Sequence, residues 1–359
     1  MKRVFVLCLL TTLLCMLSTR FDVDFVYSSG GFPVHNLTTG LSYATIQEAV
    51  NANETLNGQT ILVDSGVYNE QVILSKAVSL IGEDVNTTIL DGTGLSTILE
   101  VQSDNVTVAG FTVRNCGLLS GGHAFSLNSV RDANLSGNNV YDNYYAVWMF
   151  SSSSVTLFRN NIKDNNVGVL FISSSGNHVF ENNAEGNLLG FELVSSSNNT
   201  LAGNRIARNS HGIALYPASN SNSIYENDIA NNGFGIEVDN STKNRIYHNN
   251  FVNNTSQVFI YASSSGCQNV WDDGYPSGGN FWSDYTAKYP SATEVDASGV
   301  WNTPYIIDAN NTDKYPLMAR FVVPEFSSFL VLPLFLSTTI LVFVARKSPK
   351  NGRVMAQLV

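Results

Sequence analysis

Three carboxylates in the second half of the chain have a spacing that suits acid–base chemistry. Glu192 and Glu237 are 45 residues apart, which is two lengths of the repeat described below, and Asp239 follows Glu237 by two residues. If each repeat forms one turn of a β-solenoid, the two glutamate backbones lie about 10 Å apart. Their carboxyl groups can then approach the roughly 6.5–9.5 Å separation of inverting glycosidases. Glu192, Glu237 and Asp239 are therefore the candidate catalytic residues, and Glu237 with Asp239 could instead share a proton or a metal ion.

Aromatic residues share the register of these carboxylates. One predicted exterior column contains Trp148, Leu170, Glu192, Ala214, Glu237 and Phe259, and a second contains Phe150, Ile172, Val194, Tyr216, Asp239 and Tyr261. Aromatic rings beside hydrogen-bond acceptors suit the faces and hydroxyls of sugars. The candidate ligand-binding residues are Trp148, Phe150, Tyr216, Phe259 and Tyr261. The alternative interpretation is that this surface contacts residues 20–40, the C-terminal part of the chain or a partner subunit.

The histidines and the remaining acidic residues do not form a recognisable metal site. The five histidines occupy different phases of the repeat: His35, His123, His178, His211 and His248. The sequence also lacks the Met-rich or Cys–His cluster that soft copper sites use. We therefore predict no metal ligand and no cofactor, and we interpret His211, beside Gly212, as a polar corner residue.

Calcium is also not predicted near the C-terminus. Asp308, Asn310 and Asp313 have the spacing of a calcium loop but lack its Gly and its distal Glu. The stretch 294–302 likewise holds few carboxylates. We predict that Asp308, Asn310 and Asp313 form a solvated turn.

A repeat of about 22 residues must position the candidate site residues. Two asparagine columns recur at steps of 22 or 23 residues: Asn138, Asn160, Asn182, Asn204, Asn227, Asn249 and Asn143, Asn165, Asn187, Asn209, Asn232, Asn254. Two apolar columns keep the same spacing: Leu135, Leu157, Val179, Leu201, Ile224, Ile246 and Val140, Ile162, Ala184, Ile206, Ile229, Phe251. We predict that the asparagines are structural, because stacked amides hydrogen-bond from turn to turn and Asn tolerates the left-handed backbone of tight corners.

The pattern within each repeat is that of strands. Apolar and polar residues alternate over short runs such as 212–215. Such a unit cannot bury its apolar face alone, so the repeats must coil and stack. The predicted fold is all-β, a right-handed single-stranded parallel β-helix over residues 40–266. A helix with its N-cap at Ser42 is predicted to cap the first end, and an aromatic-rich module at 267–320 is predicted to cap the other.

Composition and charge limit the function classes. The chain has 359 residues and a net charge of −10, with only 13% charged residues, which argues against a general nucleic-acid binder. Cys8 and Cys15 lie in the N-terminal apolar run. Cys116 and Cys267 are about 150 positions apart, which is neither a disulfide framework nor a zinc site.

Both ends of the chain carry membrane-targeting patterns. Lys2 and Arg3 followed by an apolar run predict a signal peptide or signal anchor over residues 1–20. Residues 326–345 are uncharged and long enough to span a bilayer, and the basic segment 346–359 follows, which predicts a cytoplasmic tail and an extracellular body. Ten Asn-x-Ser/Thr acceptors are typical of an exported glycoprotein: Asn36, Asn53, Asn86, Asn105, Asn134, Asn198, Asn240, Asn253, Asn254 and Asn310.

The sequence resembles the NosD-like right-handed parallel β-helix proteins, whose relatives include pectin-degrading and carbohydrate-binding helices. Besides the 22-residue units, three N-terminal runs carry the resemblance: 44–50, 60–68 and 80–83. Three further segments look like the closing module of archaeal cell-surface members: 269–285, 303–308 and 315–317. Residues 323–326 are similar to an archaeal sorting or anchoring signal. The resemblance implies a surface protein with a C-terminal membrane anchor.

Three hypotheses about function follow. The first is a non-catalytic, membrane-anchored surface or adhesion protein that binds a polysaccharide or cell-envelope glycan. The second is a polysaccharide hydrolase or lyase that uses Glu192, Glu237 and Asp239. The third, implied by the namesake of the family, is an accessory protein in the copper-site maturation of nitrous oxide reductase. We predict the first, with the membrane and a glycan, but no nucleic acid, as partners.

Overall fold

Short apolar runs bounded by Asn, Gly and Ser corners form three sheets that coil around one core. The computed structural model describes residues 31–117, 121–264 and 266–322. The predicted signal segment, transmembrane helix and basic tail lie outside these residues. Within the described ranges, no helix is both long and apolar enough to cross a membrane.

The chain passes through the three sheets in turn, so strands of successive turns become neighbours in one sheet. The first sheet contains Val34–Asn36, Leu41–Tyr43, Thr60–Val63, Ser79–Gly82, Thr107–Ala109, Asn134–Ser136, Thr156–Phe158, His178–Phe180, Thr200–Ala202, Ser223–Tyr225 and Arg245–Tyr247. The second contains Gly66–Tyr68, Thr88–Asp91, Thr112–Arg114, Asn139–Tyr141, Asn161–Lys163, Asn183–Glu185, Arg205–Ala207, Asp228–Ala230, Asn250–Val252 and Phe281–Trp282. The third contains Val72–Leu74, Thr97–Val101, His123–Asn128, Tyr145–Phe150, Val167–Ile172, Leu189–Val194, His211–Leu215, Phe234–Val238 and Ser256–Ile260.

The strand pairing confirms a parallel β-solenoid. The nine strands of the third sheet mark about nine turns, and neighbouring turns pair in parallel along all three sheets. Antiparallel pairs occur where Val34–Asn36 joins its two neighbours, and in a small hairpin of Tyr305–Ile306 with Thr312–Asp313. The regular structure thus begins before residue 40, the predicted start of the repeats.

The two predicted apolar columns form the core of the solenoid. All twelve side chains are at most 1% exposed. The third sheet adds large inward rings, among them Phe125, Phe171 and Phe191. Because each buried aliphatic or aromatic side chain stabilises the fold by about 1.5–3 kcal/mol, a column repeated on every turn accounts for the cohesion of the stack.

Both predicted asparagine columns form hydrogen-bonded ladders. The side-chain amide of Asn182 donates to Oδ1 of Asn204 at 3.0 Å and to the carbonyl of Leu157 at 2.9 Å. Its own Oδ1 accepts from the backbone and side chain of Asn160. Two further ladders were not predicted: Ser152, Ser174, Ser196, Ser219, Ser241 and Asn177, Asn199, Asn222, Asn244, Asn269, Asn311. The asparagine side chains bond to one another and to the backbone, whereas the serine hydroxyls accept backbone N–H groups and donate to backbone carbonyls, so both ladders are structural.

The left-handed corners precede the ladder asparagines instead of coinciding with them. Positive φ angles of 53° to 58° occur at Arg159, Glu181, Glu226 and His248, each one residue before a ladder asparagine. The predicted left-handed role of the ladder asparagines is therefore wrong. The histidine that forms a corner is His248 and not, as predicted, His211.

A short helix, Ile46–Asn51, packs against the first strands and buries three apolar side chains. Its N-cap is Thr45, whose hydroxyl accepts the N–H of Glu48 at 3.1 Å. The predicted N-cap at Ser42 is wrong, because Ser42 lies in the strand Leu41–Tyr43 and pairs with the first strand. The cap is formed by the hydroxyl nearest the helix.

The segment that follows the last turn extends the core. It contains a 3₁₀ helix, Ala262–Ser264, and a short helix, Tyr285–Lys288. The indoles of Trp271 and Trp282 are at most 1% exposed, and the Trp282 ring stacks on Phe251 with centroids 4.3 Å apart. Aromatic side chains therefore cover the apolar surface that the last turn leaves open.

Asp313 is buried in this segment, so its predicted place in a solvated turn is wrong. Its Oδ2 accepts the backbone N–H of Asn280 at 2.7 Å and the indole N–H of Trp282 at 2.8 Å. Asn280 accepts in turn from the ladder residue Asn249 at 3.0 Å. Burial raises the pKa of the Asp313 carboxyl to about 7.

Candidate functional site

The outer face of the third sheet brings the predicted site residues together. The pairing register aligns Trp148, Leu170, Glu192, Ala214, Glu237 and Phe259 on successive strands. The second predicted column, from Phe150 to Tyr261, lies two residues further along each turn. A third column on the same sheet was not predicted: His123, Tyr145, Val167, Leu189, His211, Phe234 and Ser256. We call these three columns the exterior strip.

Glu237 is at the centre of the exterior strip and is deeper than the sequence predicted. Its side chain is 1% exposed. Oε2 is hydrogen-bonded to Nδ1 of His211, and Oε1 accepts the hydroxyl of Tyr261 at 3.1 Å. When the Glu237 carboxylate is ionised it can only accept, and Nδ1 of His211 is then the donor of this hydrogen bond. Nε2 of His211 has no hydrogen-bond partner in the part of the chain that the structure describes.

The pairing with Glu237 makes His211 part of the site. His211 begins the strand His211–Leu215, on the turn between those of Glu192 and Glu237. Ala214, on the same strand, is too small to fill the space between the two glutamates, so Glu237 can extend towards the neighbouring column. The small size of Ala214 was the feature of the sequence that could have revealed the contact between His211 and Glu237. Comparing the positions of the histidines within the repeat did not reveal it.

Glu192 lies on the turn before that of His211, whereas Glu237 lies on the turn after it. The Glu192 side chain is half-buried. Burial raises the pKa of its carboxyl, and the charge of His211 partly offsets this rise. The charge of Glu192 also adds to the effect of burial in raising the pKa of the Tyr145 and Tyr216 hydroxyls. Glu192 is therefore a better proton acceptor than an exposed glutamate.

The hydroxyls of Tyr216 and Tyr261 complete the polar centre. Burial, followed by the charge of Glu237, raises the pKa of both. Both hydroxyls are therefore protonated at neutral pH. We give the name central cluster to five side chains from neighbouring turns of the exterior strip: Glu192, His211, Tyr216, Glu237 and Tyr261.

Asp239 borders the central cluster. Its charge contributes to the raised pKa of Tyr261, and its Oδ1 accepts the side-chain amide of Asn240 at 3.0 Å. The contacts of Glu237 are with His211 and Tyr261. The structure thus pairs Glu237 with a histidine and a tyrosine.

Aromatic rings flank the central cluster on both sides. Towards the N-terminus, Trp148 and Phe150 stack with centroids 5.7 Å apart and planes 6° apart. Towards the C-terminus, Phe259 meets Tyr261 edge to face at 4.9 Å. Phe150 and Phe259 are 38% and 39% exposed. Exposed aromatic surface of this kind marks ligand or partner sites.

The charged residues of the exterior strip are acidic. Its three columns hold three carboxylates and neither lysine nor arginine among the described residues. An anionic ligand would be repelled by this surface, whereas a neutral one would not. Within residues 31–117, 121–264 and 266–322, no group of three or more His, Cys, Asp and Glu could hold a metal ion.

Two of the ten predicted glycosylation acceptors are not accessible. Asn36 is fully buried and donates to the hydroxyl of Thr55 at 2.9 Å. Asn254 is 8% exposed and belongs to an asparagine ladder. Seven acceptors are exposed: Asn53, Asn86, Asn105, Asn198, Asn240, Asn253 and Asn310.

Comparison with a family model gives the class of the protein. The model described as right handed beta helix region matches residues 96–251 and 189–273. Together with the sheet topology, this match defines the described part of the chain as an all-β, right-handed parallel β-solenoid of about nine turns.

One curated relative comes from Methanothermus fervidus and is named cell surface glycoprotein. It is 24% identical over 123 residues, which is 34% of this chain. The chain spans only 20% of the length of that relative.

Solved structures with a similar fold include three proteins. Pectate lyase Pel9A aligns with a TM-score of 0.47 and 15% identity, over 80% of this chain and 85% of that chain. The A-module of the mannuronan C-5 epimerase AlgE4 from Azotobacter vinelandii aligns with a TM-score of 0.40 and 15% identity, over 71% and 92%. ORF18 of Geobacillus virus E2 aligns with a TM-score of 0.44 and 13% identity, over 72% and 61%.

Proposed function

We propose that this protein binds a neutral polysaccharide along the exterior strip. The observation that carries the proposal is the arrangement of exposed rings on both sides of a polar, acidic centre. Sugar rings offer an apolar face for stacking and hydroxyls for hydrogen bonds, which match the rings and the central cluster respectively. From Trp148 to Phe259 the strip spans five strand spacings, roughly 24 Å, so a linear glycan fits along the solenoid axis.

The same proposal places the protein at the cell surface. It is supported by the name of the curated relative, by the predicted signal segment 1–20 and by the exposed glycosylation acceptors. The apolar segment 326–345 would anchor the chain in the membrane, with the solenoid outside the cell. Protease added to intact cells should then cleave the solenoid, and a chain without residues 326–359 should appear in the medium. A solenoid protected from protease in intact cells would contradict this location.

Retention on immobilised polysaccharides tests the binding proposal. Detergent-solubilised full-length protein is passed over neutral glucan, mannan and galactan matrices. Trp148→Ala or Tyr216→Ala should weaken retention about 3- to 10-fold, because each removes a ring worth about 0.5–1.5 kcal/mol in stacking.

A matched control lies on another face of the solenoid. Phe158 is on the first sheet, where its ring packs on Phe180 with centroids 4.7 Å apart. Phe158→Ala should leave retention unchanged. The proposal fails if Phe158→Ala and Trp148→Ala weaken retention equally, or if none of the matrices retains the protein.

A further inference from the structure

The partners of Glu237 are unusual for a buried carboxylate that serves only stability. A carboxylate removed from water must be compensated by donors, and arginine or backbone N–H groups suffice for this. The buried Glu185, for example, is held by Arg205 at 2.6 Å. Glu237 is held instead by Tyr261 and by His211, whose imidazole can transfer a proton.

The geometry leaves one imidazole nitrogen available to a ligand. Nδ1 of His211 is fixed by the Glu237 carboxylate, while its Nε2 is unoccupied among the described residues. The His211 side chain is 27% exposed, so the ring borders the surface where the glycan would lie. A carboxylate that fixes one nitrogen of a histidine orients the other for proton transfer, as in hydrolytic triads.

From this juxtaposition we infer that the central cluster hydrolyses the glycan that the exterior strip binds, with His211 as general acid and Glu192 as general base. The inference rests on the proposed binding function. Glu237 is a positioning residue, because it acts through His211 and is itself covered. Glu192 is the accessible carboxylate of the pair.

The hydrolytic step balances with groups already named. Glu192 takes one proton from a water molecule, whose oxygen forms a new bond to the anomeric carbon. The glycosidic carbon–oxygen bond breaks, its electron pair goes to the leaving oxygen, and that oxygen takes the proton from Nε2 of the His211 imidazolium. Proton return from Glu192 to His211 through water restores the site. The hydroxyls of Tyr216 and Tyr261 remain donors throughout.

The substrate class follows from the charges of the strip. With Glu192, Glu237 and Asp239 along it and neither lysine nor arginine in its described columns, the strip favours an uncharged glycan over a uronate. Aromatic rings on both sides of the cluster indicate that the chain is cut internally, since sugar units would stack both before and after the scissile bond.

The test uses full-length protein in detergent and the neutral glycan that the retention assay identifies. Incubation in H₂¹⁸O followed by mass spectrometry should give shorter oligosaccharides with one ¹⁸O at each new reducing end. Glu192→Gln and His211→Gln should each lower kcat at least about 100-fold. Glu226→Gln, which changes a corner glutamate outside the strip, should keep full activity.

The pH profile separates a catalytic from a merely structural role. The raised pKa of Glu192 places the acid limb of kcat above about pH 4.5, and the residual activity of Glu192→Gln should lack that limb. Glu237→Gln should lower kcat with little change in KM, and Glu237→Asp should restore part of it. Circular dichroism checks that each variant is folded, and the acid limb of the wild-type protein remains a test if His211→Gln does not fold.

The outcomes distinguish the two proposals. Retention without any ¹⁸O-labelled product overturns the hydrolytic inference and leaves binding intact. Product formed at the wild-type rate by Glu192→Gln overturns it as well. If no matrix retains the protein and no glycan of the panel is cut, both proposals fail.

Discussion

Two buried carboxyl groups in this molecule both need hydrogen-bond donors, and they obtain them from different kinds of partner. Asp313, in the segment after the last turn, accepts from the backbone N–H groups of Asn280 and Tyr315 and from the indole of Trp282. Glu237, on the third sheet, accepts from His211 and Tyr261. Both acids are at most 1% exposed. Backbone and indole N–H groups keep their protons and only hold Asp313 in place. The imidazole of His211, in contrast, can transfer a proton. Burial alone therefore does not identify a functional acid.

The largest expected effect concerns the structural acid. Asp313→Ala leaves two buried donors and one half-buried donor without an acceptor. Each buried donor costs about 1–3 kcal/mol, so the free energy of unfolding should fall by at least about 2 kcal/mol. Denaturant unfolding followed by tryptophan fluorescence measures this change, because Trp271 and Trp282 lie in the same segment. Asp296→Ala, at an exposed position, should change stability by less than about 0.5 kcal/mol. Equal stabilities of the two variants would show that Asp313 does not hold the segment.

The pH dependence of stability should also carry the signature of Asp313. Its pKa is raised by burial from 3.8 to about 7, so between those values the folded state holds a proton that the unfolded state has released. This contribution therefore falls as pH rises from about 4 to about 7, by at most about 1.4 kcal/mol per pH unit. The measurement is the difference in unfolding free energy between the wild-type protein and Asp313→Asn across this range. A difference that is flat with pH would contradict the assignment.

A smaller effect is expected at the functional acid. Tyr261→Phe removes one donor from Glu237 and leaves the histidine in place, so the loss of stability should be about 1 kcal/mol. Tyr225→Phe, on the first sheet, is the matched control and should cost less. The same unfolding assay applies to both variants. A cost for Tyr261→Phe as large as that of Asp313→Ala would make Glu237 a structural acid too.

The repeated part of the molecule was largely predictable from the sequence. A constant period fixes which residues become neighbours, so the inward column around Leu201 and the ladder around Asn204 could be read from spacing alone. The alignment of Glu192, Ala214 and Glu237 follows from the same period. Such predictions need only the strand spacing and the alternation of faces.

Contacts between columns were not predictable in this way. The hydrogen bond from His211 to Glu237 joins residues on neighbouring turns but in different columns, and it depends on the direction each side chain takes. Asp313 lies in a segment without a repeat, so nothing in its spacing distinguished a buried acid from a solvated one. At the first helix, Ser42 is not the predicted cap because it pairs with the first strand, and this pairing could not be read from the local sequence.

The most direct test of the central claim is a hydrogen-exchange footprint of the full-length protein with the glycan that it retains. Bound glycan should protect the strands Tyr145–Phe150, His211–Leu215 and Phe234–Val238 of the third sheet and leave the first-sheet strands Thr156–Phe158 and Ser223–Tyr225 unchanged. Protection confined to the third sheet would support the exterior strip as the binding surface. Protection of the first sheet, with none on the third, would contradict it.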